Sequence, residues 1–532
     1  MENSKVNSPP PSWEDVVKIK RAERHQAVAP YLEQEISPTD PITNIDDIDE
    51  LAKQIETGKL SSEQVIRAYI KRASAAHKAT NCLTEVLFED AIQKAQNLDE
   101  FYATNGKAIG PLHGVPITLK DQFNVKGKDT TLGYVGLALK PALDDAVVVK
   151  ILQNLGAVVI AKTNLPQSIM WCETENPLWG LTTNPLNPEY TPGGSTGGEG
   201  ALLALRGSIV GWGTDIGGSV RIPSSINGLY GLKPSSARMP YQGLEVSTDG
   251  QEHVPSAIGP MTRSLSSMVT ITKAVIDGEP WMLDPKVVPI PWRESVYNEV
   301  QNRPLVIGIM IDDGVVKVHP PIQRALKELA SKLKDAGHEL VDWEPSLHRE
   351  CIGIMDQFYT ADGGEDIRRA VEAGGEPYIP HVEALVNRGK PISVYEYWQL
   401  NKKKTAAQKA YLDKWNGVKG AGSGRVVDVL VTPTMPHSAV PHRACRWVGY
   451  TKIWNVLDYT ALAFPVTTIS ATKDPVPETH YEPRNEMDAW NWKLYDPVKM
   501  DGHPVGLQIV GRRFEEEKVL GVAKVIEKLM GR

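Results

Sequence analysis

Apolar residues follow two alternating patterns along the chain. Short apolar runs bounded by glycine, proline or polar residues predict buried strands at 157–161, 305–310, 338–343, 426–431 and 505–510. Between these runs, apolar residues recur every three or four positions, as they do on one face of a helix. This alternation indicates an α/β fold, with a mixed, largely parallel sheet covered by helices on both faces.

Capping residues locate the ends of several helices. A short helix is predicted over 47–58, and Ser61 with Gln64 has the spacing of a capping box at the start of the next one. Asp144 is expected to cap a helix that ends at Gly156. These caps support the helical part of the α/β assignment.

The chain is expected to form one large domain preceded by an N-terminal helical strap. The strap covers 1–45 and begins with a helix that Ser12 caps, whose apolar contacts come from Trp13, Val16, Val17 and Ile19. The domain covers 46–532, because no linker rich in glycine and serine divides it. Its more polar stretch at 345–425 is predicted to be a helical cap or insertion.

Composition and charge exclude several classes of protein. The 532 residues are 41% hydrophobic and 23% charged, which is ordinary for a globular protein. The formal net charge of −7 argues against a nucleic-acid partner. Four scattered cysteines form neither a disulfide framework nor a CxxC metal motif, so we expect a reducing, cytoplasmic location. No apolar run is long enough for a membrane span, and the polar N-terminus does not resemble a secretory signal.

Glycine is concentrated in one stretch of the chain. Twelve of the 44 glycines lie between Gly193 and Gly231, where an even distribution would place about three. Glycine is needed where the backbone turns with positive φ or approaches a ligand closely, so this stretch is expected to carry function. It lacks the Gly-Lys-Ser/Thr ending of a Walker loop, and Ile216 replaces the third glycine of a dinucleotide fingerprint. Nucleotide binding is therefore disfavoured.

Two serines in this stretch could act as nucleophiles. The segment 193–197 fits the G-x-S-x-G elbow of an α/β-hydrolase around Ser195, and downstream histidines leave that interpretation open. Alternatively, Ser219 is the nucleophile, and consecutive N–H groups at 216–219 form an oxyanion hole. Ser219 would then need a base. Lys120, at the end of an apolar run, can serve if burial lowers its pKa.

Several ordered motifs resemble the amidase signature family. They are Gly110-Pro111-Leu112-His113-Gly114-Val115-Pro116 with Lys120, Gly193-Gly194-Ser195-Thr196-Gly197-Gly198-Glu199-Gly200, Gly213-Thr214-Asp215-Ile216-Gly217-Gly218-Ser219-Val220-Arg221, and Pro504-Val505-Gly506-Leu507-Gln508-Ile509-Val510-Gly511. The resemblance covers the chain from about residue 50 to its end. Within the family, Trp13, Cys172-Glu173 and the segment 278–281 are most similar to fungal acetamidases.

The resemblance implies a Ser–Ser–Lys triad. Ser219 would attack an amide carbonyl, and Lys120 would be the neutral general base. Ser195, joined to Gly194 by a cis peptide bond, would relay the proton between them. The carbonyl of Ile169 would lie near the substrate nitrogen. The predicted substrate-binding and oxyanion residues are Ile169, Ser195, Ile216, Gly217, Gly218 and Ser219.

Neighbouring residues are assigned supporting roles. Asp215 and Arg221 are expected to hold the nucleophile loop by an ion pair, and His113 is expected to be structural. The residues predicted to line an acyl pocket are Met170, Trp171 and Trp179. The resemblance implies no cofactor and no metal, and His437 with His442 lacks the spacing of a zinc site.

The implied activity is hydrolysis of small carboxamides, such as acetamide, to the acid and ammonia through an acyl-enzyme. Within the same family, the alternatives are hydrolysis of fatty-acid, bulky or secondary-metabolite amides, and a glutamine amidotransferase subunit. An inactive scaffold is the alternative outside enzymes. The expected partners are a small-molecule amide and, at most, a second copy of the chain in a homodimer.

Overall fold

A computed structural model describes residues 11–531, apart from residues 33, 35, 36, 38, 39 and 479. The α-helices are α1 (Trp13–Leu32), α2 (Ile48–Glu56), α3 (Ser62–Thr80), α4 (Phe88–Asn105), α5 (Val147–Asn154), α6 (Gly197–Ala204), α7 (Arg221–Ile226), α8 (Leu265–Asp277), α9 (Glu294–Glu299), α10 (Pro320–Asp335), α11 (His348–Phe358), α12 (Glu365–Gly374), α13 (Pro380–Val386), α14 (Val394–Gly417), α15 (Gly449–Val456), α16 (Glu486–Lys493) and α17 (Glu516–Leu529). Short 3₁₀ helices cover Val135–Leu137, Pro280–Met282 and Val300–Asn302.

The strands are β1 (Leu83–Val86), β2 (Pro116–Lys120), β3 (Val158–Thr163), β4 (Glu175–Asn176), β5 (Gly180–Leu181), β6 (Val210–Asp215), β7 (Tyr230–Lys233), β8 (Ala257–Thr262), β9 (Val306–Ile309), β10 (Glu339–Asp342), β11 (Val429–Pro433), β12 (Ala461–Thr468) and β13 (Pro504–Val510). Within the described part of the chain, eleven of these strands form one sheet in the order β1-β3-β2-β6-β8-β7-β12-β13-β11-β9-β10, and β4 pairs with β5.

The large sheet is mixed, as predicted. Strands β3, β2 and β6 run parallel to one another, and so do β11, β9 and β10. The strands between these two blocks are antiparallel to their neighbours, as is the edge strand β1. Every residue of β2, β3, β6, β8 and β11 is buried. Because side chains alternate between the two faces of a strand, both faces of the sheet are covered.

The predicted elements are present, with their ends shifted by about one to three residues. The five apolar runs form β3, β9, β10, β11 and β13, although β11 begins at Val429 rather than at residue 426. Asp47 caps α2, and Ser61 forms the predicted capping box of α3. The prediction for Asp144 is wrong. Helix α5 begins after Ala146 without a side-chain cap, and Asp144 instead pairs with Lys150 at 2.6 Å.

Helix α1 lies in the predicted N-terminal strap, of which residues 1–10 and several between 33 and 39 lie outside the described part. Ser12 Oγ accepts a hydrogen bond from the Asp15 N–H at 3.2 Å, which is the predicted cap. The apolar contact is made by Val16, Val17 and the partly buried Trp13, against Leu178 and Trp179 among others. Ile19 is 41% exposed, so its predicted contact is wrong.

Two large hydrophobic clusters pack against the sheet. One is formed by residues between 28 and 276, and the other by residues between 172 and 526. Helix α7, which follows the glycine-rich loop, contacts β7, β12 and β13. The loop therefore lies near the middle of the sheet, where both halves of the chain can contribute side chains to it.

Candidate active site

Parallel strands bring two predicted site segments to the same edge of the sheet. Lys120 is the last residue of β2, and Asp215 is the last residue of β6. The two strands pair in parallel, with Leu119 opposite Trp212. Because the carboxyl ends of parallel strands lie at one edge, Lys120 and the loop after Asp215 are neighbours.

The Lys120 side chain is fully buried and hydrogen-bonded to Ser195. Its Nζ lies 2.7 Å from Ser195 Oγ and 3.0 Å from Thr214 Oγ1. No ion pair joins Lys120 to any carboxylate of the described residues. Burial lowers its pKa to about 7, although the negative charges of Asp215 and Asp121 oppose this shift. A substantial fraction of the amine is therefore neutral at neutral pH.

A second set of contacts orients the Lys120 amine. The Thr214 hydroxyl donates a hydrogen bond to Gln122 Oε1 at 2.5 Å, so the hydroxyl oxygen accepts a hydrogen bond from Lys120. Gln122 Nε2 in turn donates to the carbonyl of Glu245 at 3.1 Å, which fixes the orientation of the amide. With one N–H directed at Thr214, the remaining positions on the amine are available to Ser195.

Ser195 is held by a tightly packed backbone. The peptide bond between Gly194 and Ser195 is cis, the conformation implied by the resemblance. A Cβ atom on Gly194 would overlap the backbone of Glu173, so only glycine fits at this position. The Thr196 N–H donates to the carbonyl of Ser219 at 3.2 Å, which connects the two serine segments directly.

Ser219 faces a small cavity. It is 9% exposed and lines a cavity of about 110 Å³ together with Ile169, Ile216 and Gly217, all of them predicted site residues. The described residues show no hydrogen bond between the side chains of Ser195 and Ser219. The lysine–serine contact is thus already formed, while the Ser219 hydroxyl is left at the cavity.

The loop after β6 has its carbonyl groups occupied. The carbonyls of Ile216, Gly217, Gly218 and Ser219 accept hydrogen bonds from Tyr359 Oη, Thr451 Oγ1, the Ile222 N–H and the Thr196 N–H, respectively. The Gly218 N–H donates to Asp215 Oδ1 at 2.7 Å, which removes it from the predicted oxyanion donors in this structure. The N–H groups of Ile216, Gly217 and Ser219 have no acceptor among the described residues. These three remain available to a developing oxyanion.

A buried ion pair supports this loop. Asp215 and Arg221 are both fully buried, and Arg221 Nε lies 2.9 Å from Asp215 Oδ2, as the sequence predicted. Burial alone would raise the pKa of Asp215, but Arg221 holds it below its ordinary value. Asn455 also donates to Asp215, and Gln508 accepts from Arg221 at 3.0 Å. The C-terminal motif around Gln508 therefore contributes to the site by fixing Arg221.

The sequence reasoning missed a set of cavity residues from the second half of the chain. The stretch 345–425, which holds α11 to α14, supplies Asp356, Tyr359, Leu385 and Arg388. The region around α15 supplies Arg446, Val448 and Lys452. No motif marks any of these residues. The only signal in the sequence was the polar character of 345–425.

Of the other residues singled out in the sequence, some line the cavity and others do not. Met170 and Trp171 line the cavity as predicted, but Trp179 packs against α1 and donates to Thr131 instead. His113 is buried and accepts a hydrogen bond from the Ile109 N–H, as expected of a structural histidine. Among the residues that the structure describes, no histidine is hydrogen-bonded to Ser195, whose side-chain partner is Lys120. The nucleophile-elbow interpretation therefore lacks its base.

Comparison with known proteins decides the family. A family model described as "Amidase" matches residues 64–520. The chain belongs to this amidase family. The amidase hydrolyses amide bonds, and its fold and motifs are those that the resemblance implied.

Individual relatives span almost the whole amidase. "Amidase 1" of Gibberella moniliformis is 58% identical over 98% of this chain and 100% of its own length. An "Acetamidase" of Emericella nidulans is 40% identical over 91% of this chain and 88% of its own. The solved structure of a "Fatty acid amide hydrolase" matches with a TM-score of 0.89 at 34% identity, over 100% of this chain and 92% of that one.

The described part of the amidase shows neither a membrane-spanning helix nor a metal-binding cluster. Across the described ranges, none of the helices combines the length and apolarity that crossing a bilayer requires. In the same part of the chain, no group of three or more histidine, cysteine, aspartate or glutamate side chains could hold a metal ion.

Proposed function

We propose that this amidase hydrolyses the amide bond of a small carboxylic acid amide through an acyl-enzyme, with Ser219 as nucleophile, Ser195 as proton relay and Lys120 as general base. The observation that carries the proposal is the buried Lys120 amine, 2.7 Å from Ser195 Oγ and without an ion-pair partner among the described residues. A lysine in this state accepts protons near neutral pH, which a solvated lysine does not.

The proposed proton path uses the Lys120–Ser195 contact and requires Ser219 Oγ to come within hydrogen-bond distance of Ser195 Oγ when the substrate binds. As Ser219 Oγ bonds to the amide carbon, its proton passes to Ser195, and the Ser195 proton passes to the lone pair of Lys120. The protonated Lys120 then returns a proton through Ser195 to the leaving nitrogen as the carbon–nitrogen bond breaks. Water releases the acid from the Ser219 ester by the same relay. The N–H groups of Ile216, Gly217 and Ser219 stabilise the oxyanion in both steps.

The small cavity supports a small acyl group. A volume of about 110 Å³ beside Ser219 accommodates an acetyl or similar group, which is the preference expected from the sequence. A second cavity of about 410 Å³ shares Ile169, Met170 and Ile216 with the first one. This neighbouring space favours a bulkier amide as the second candidate substrate. Comparing kcat/KM for acetamide, benzamide and oleamide separates the two candidates, because cavity volume limits the acyl group.

Replacing Lys120 tests the mechanism. Lys120→Met keeps most of the side-chain volume and removes the base, so kcat/KM for the best amide should fall by about 10²–10⁴. The matched control is Lys162→Met. Lys162 is equally buried, on the adjacent strand, but donates to the Asp129 carbonyl and Thr130. Near-normal turnover by Lys120→Met would refute the mechanism.

Labelling distinguishes the two serines. A fluorophosphonate probe should label the wild-type amidase at Ser219, and Ser219→Ala should abolish labelling. A label found on Ser195 in peptide mass spectrometry would instead favour the elbow interpretation.

The cytoplasmic location and the homodimer expected from the sequence stay part of the proposal. Fluorescent tagging would test the location, and light scattering would test the homodimer.

A further inference from the structure

The cavity at Ser219 contains an excess of positive charge. Three cationic side chains line it, from Arg388, Arg446 and Lys452, against the single carboxylate of Asp356. Lys452 Nζ pairs with Asp356 at 2.5 Å, so these two charges balance each other. The two arginines then remain as net positive charge beside the proposed nucleophile.

Neither arginine has an acidic partner within the part of the chain that the structure describes. The Arg446 guanidinium stacks on Trp490, 3.5 Å from the ring centroid, and the Arg388 side chain makes no hydrogen bond or ion pair with any described residue. Arg443, three residues before Arg446, is by contrast paired with Glu175 at 2.6 Å. Arg388 and Arg446 therefore present guanidinium groups without an acidic partner, among the described residues, at the wall of the cavity.

The neighbouring titratable groups do not cancel this charge. Burial lowers the pKa of Lys452, and its partner Asp356 opposes this shift. His381 stacks on Trp171, another wall residue, with ring centroids 3.9 Å apart. Burial lowers the pKa of His381 to about 4, so its ring is neutral when the enzyme works. The cavity therefore stays cationic at neutral pH.

The Arg446 loop is held in place from inside the protein. Glu173, which follows the cavity residue Cys172, is buried and accepts hydrogen bonds from the N–H groups of Arg443 and Cys445, at 2.6 and 2.8 Å. Stacking on Trp490 further limits the guanidinium. A fixed guanidinium loses little freedom when it binds an anion, and its planar donors match a carboxylate.

We propose that the substrate of this amidase is an amide that also carries a carboxylate, bound by Arg388 and Arg446 while Ser219 attacks the amide carbon. This inference rests on the proposed function, since it takes Ser219 as the nucleophile. The carboxylate belongs either to the acyl half, as in succinamate, or to the amine half, as in N-acetylglycine. Both give the same recognition chemistry at the two arginines.

Matched substrate pairs test the charge directly. Succinamate is compared with the neutral succinamide, and N-acetylglycine with N-acetylglycinamide, by release of ammonia and of acetate, respectively. In one pair, kcat/KM should be at least about 10-fold higher for the carboxylate, mainly through KM, because charge-assisted hydrogen bonds contribute binding. The pair that shows the preference identifies the half that carries the anion.

Substitution then assigns the preference to the arginines. Arg388→Met and Arg446→Met should each reduce the ratio of charged to neutral kcat/KM several-fold, and the double variant should bring it near one. The control is Arg369→Met, an exposed arginine of α12 that pairs with Glu365. It should keep the wild-type ratio. Circular dichroism checks that each variant is folded, and both arginines are exposed enough for substitution to be tolerated.

A binding measurement separates this inference from the mechanism. Ser219→Ala cannot form the ester, so calorimetry on it reports binding of the intact succinamate or N-acetylglycine. Turnover of the neutral amides with no preference for either carboxylate would overturn the inference and leave the proposed function standing. If Ser219→Ala bound the carboxylate through the arginines but the wild type turned over none of the amides, the proposed function would be overturned and the binding inference would stand. If neither turnover nor arginine-dependent binding were observed, the proposed function and the inference would both be overturned.

Discussion

The hydroxyl of Tyr359 donates a hydrogen bond to the carbonyl of Ile216 at 3.2 Å, which joins the segment after α11 to the loop that carries Ser219, the proposed nucleophile. A Cβ atom added at Gly217 would overlap Tyr359 Oη, so the loop and the tyrosine fit each other closely. Through this contact, a residue far along the chain orients the peptide group that carries the Gly217 N–H, one of the proposed oxyanion donors.

Tyr359→Phe should therefore slow the chemical step without unfolding the protein. Losing one hydrogen bond to a neutral carbonyl costs about 0.5–1.5 kcal/mol, which corresponds to about a 2- to 10-fold fall in kcat. Steady-state kinetics with the best amide measures this effect. Tyr397→Phe, on α14 and outside the cavity lining, is the control and should keep the wild-type kcat. An unchanged kcat in Tyr359→Phe would show that the loop does not need the contact.

The pH dependence of the amidase should report Lys120. Its pKa of about 7 means that the neutral, reactive form gains population as pH rises through that value. We therefore expect kcat/KM to increase about 10-fold from pH 6 to its plateau above pH 8, as for a single titrating base. Initial rates in buffers of constant ionic strength measure the profile. A profile that is flat from pH 5 to 8 would contradict the assignment.

The same group predicts a change in stability with pH. Its folded pKa lies below the value of about 10.4 in the unfolded chain, so the unfolded state binds more protons between these values. The contribution of Lys120 to the free energy of unfolding therefore rises with pH over this window, by up to about 1.4 kcal/mol per pH unit. Urea unfolding at several pH values should show that Lys120→Met loses this slope.

Much of the site could be predicted because its residues lie in continuous motifs. Lys120, Ser195 and Ser219 are separated in sequence, but each is marked by local glycines or by the end of a strand. The hydrogen-bond partner of the Gly218 N–H could not be predicted, because its contact with Asp215 depends on the backbone conformation of the loop. Trp179 illustrates a different limit, since an aromatic residue packs equally well in a pocket wall or a core.

The two arginines that line the cavity could not be predicted from the sequence for a further reason. Arg388 and Arg446 come from segments that meet Ser219 only through tertiary packing, and neither lies near a recognisable motif. Strand Val429–Pro433 likewise begins later than the apolar run suggested, because the Asp428 carboxylate pairs with Arg303 and accepts the Val306 N–H, while Val426 forms an isolated bridge with Lys419. Patterns of hydrophobicity locate buried segments, but they do not specify which segments become neighbours.

The buried ion pair between Asp215 and Arg221 should be essential for stability. Asp215→Asn leaves the Arg221 charge in the interior without its carboxylate, which typically costs about 3–5 kcal/mol. The free energy of unfolding from urea titration should fall by that order. Glu365→Gln, which removes the exposed partner of Arg369, should cause no measurable change. A small loss in Asp215→Asn would mean that Asn455 and Gln508 satisfy Arg221 on their own.

The close approach of Gly194 to Glu173 gives the sharpest steric prediction. A methyl group at Gly194 would overlap backbone atoms of Glu173, which cannot rotate away as a flexible side chain could. Gly194→Ala should displace Ser195 from Lys120 and reduce kcat by at least about 10²-fold, since a shift of about 1 Å at a reacting group has that effect. Gly353→Ala is the matched control, because nothing lies within 4 Å of its added Cβ. It lies inside α11, where alanine is favoured over glycine, so it should retain activity and be slightly more stable. If Gly194→Ala kept wild-type kcat, the backbone of Glu173 would have to yield, and the rigid support proposed for Ser195 would be wrong.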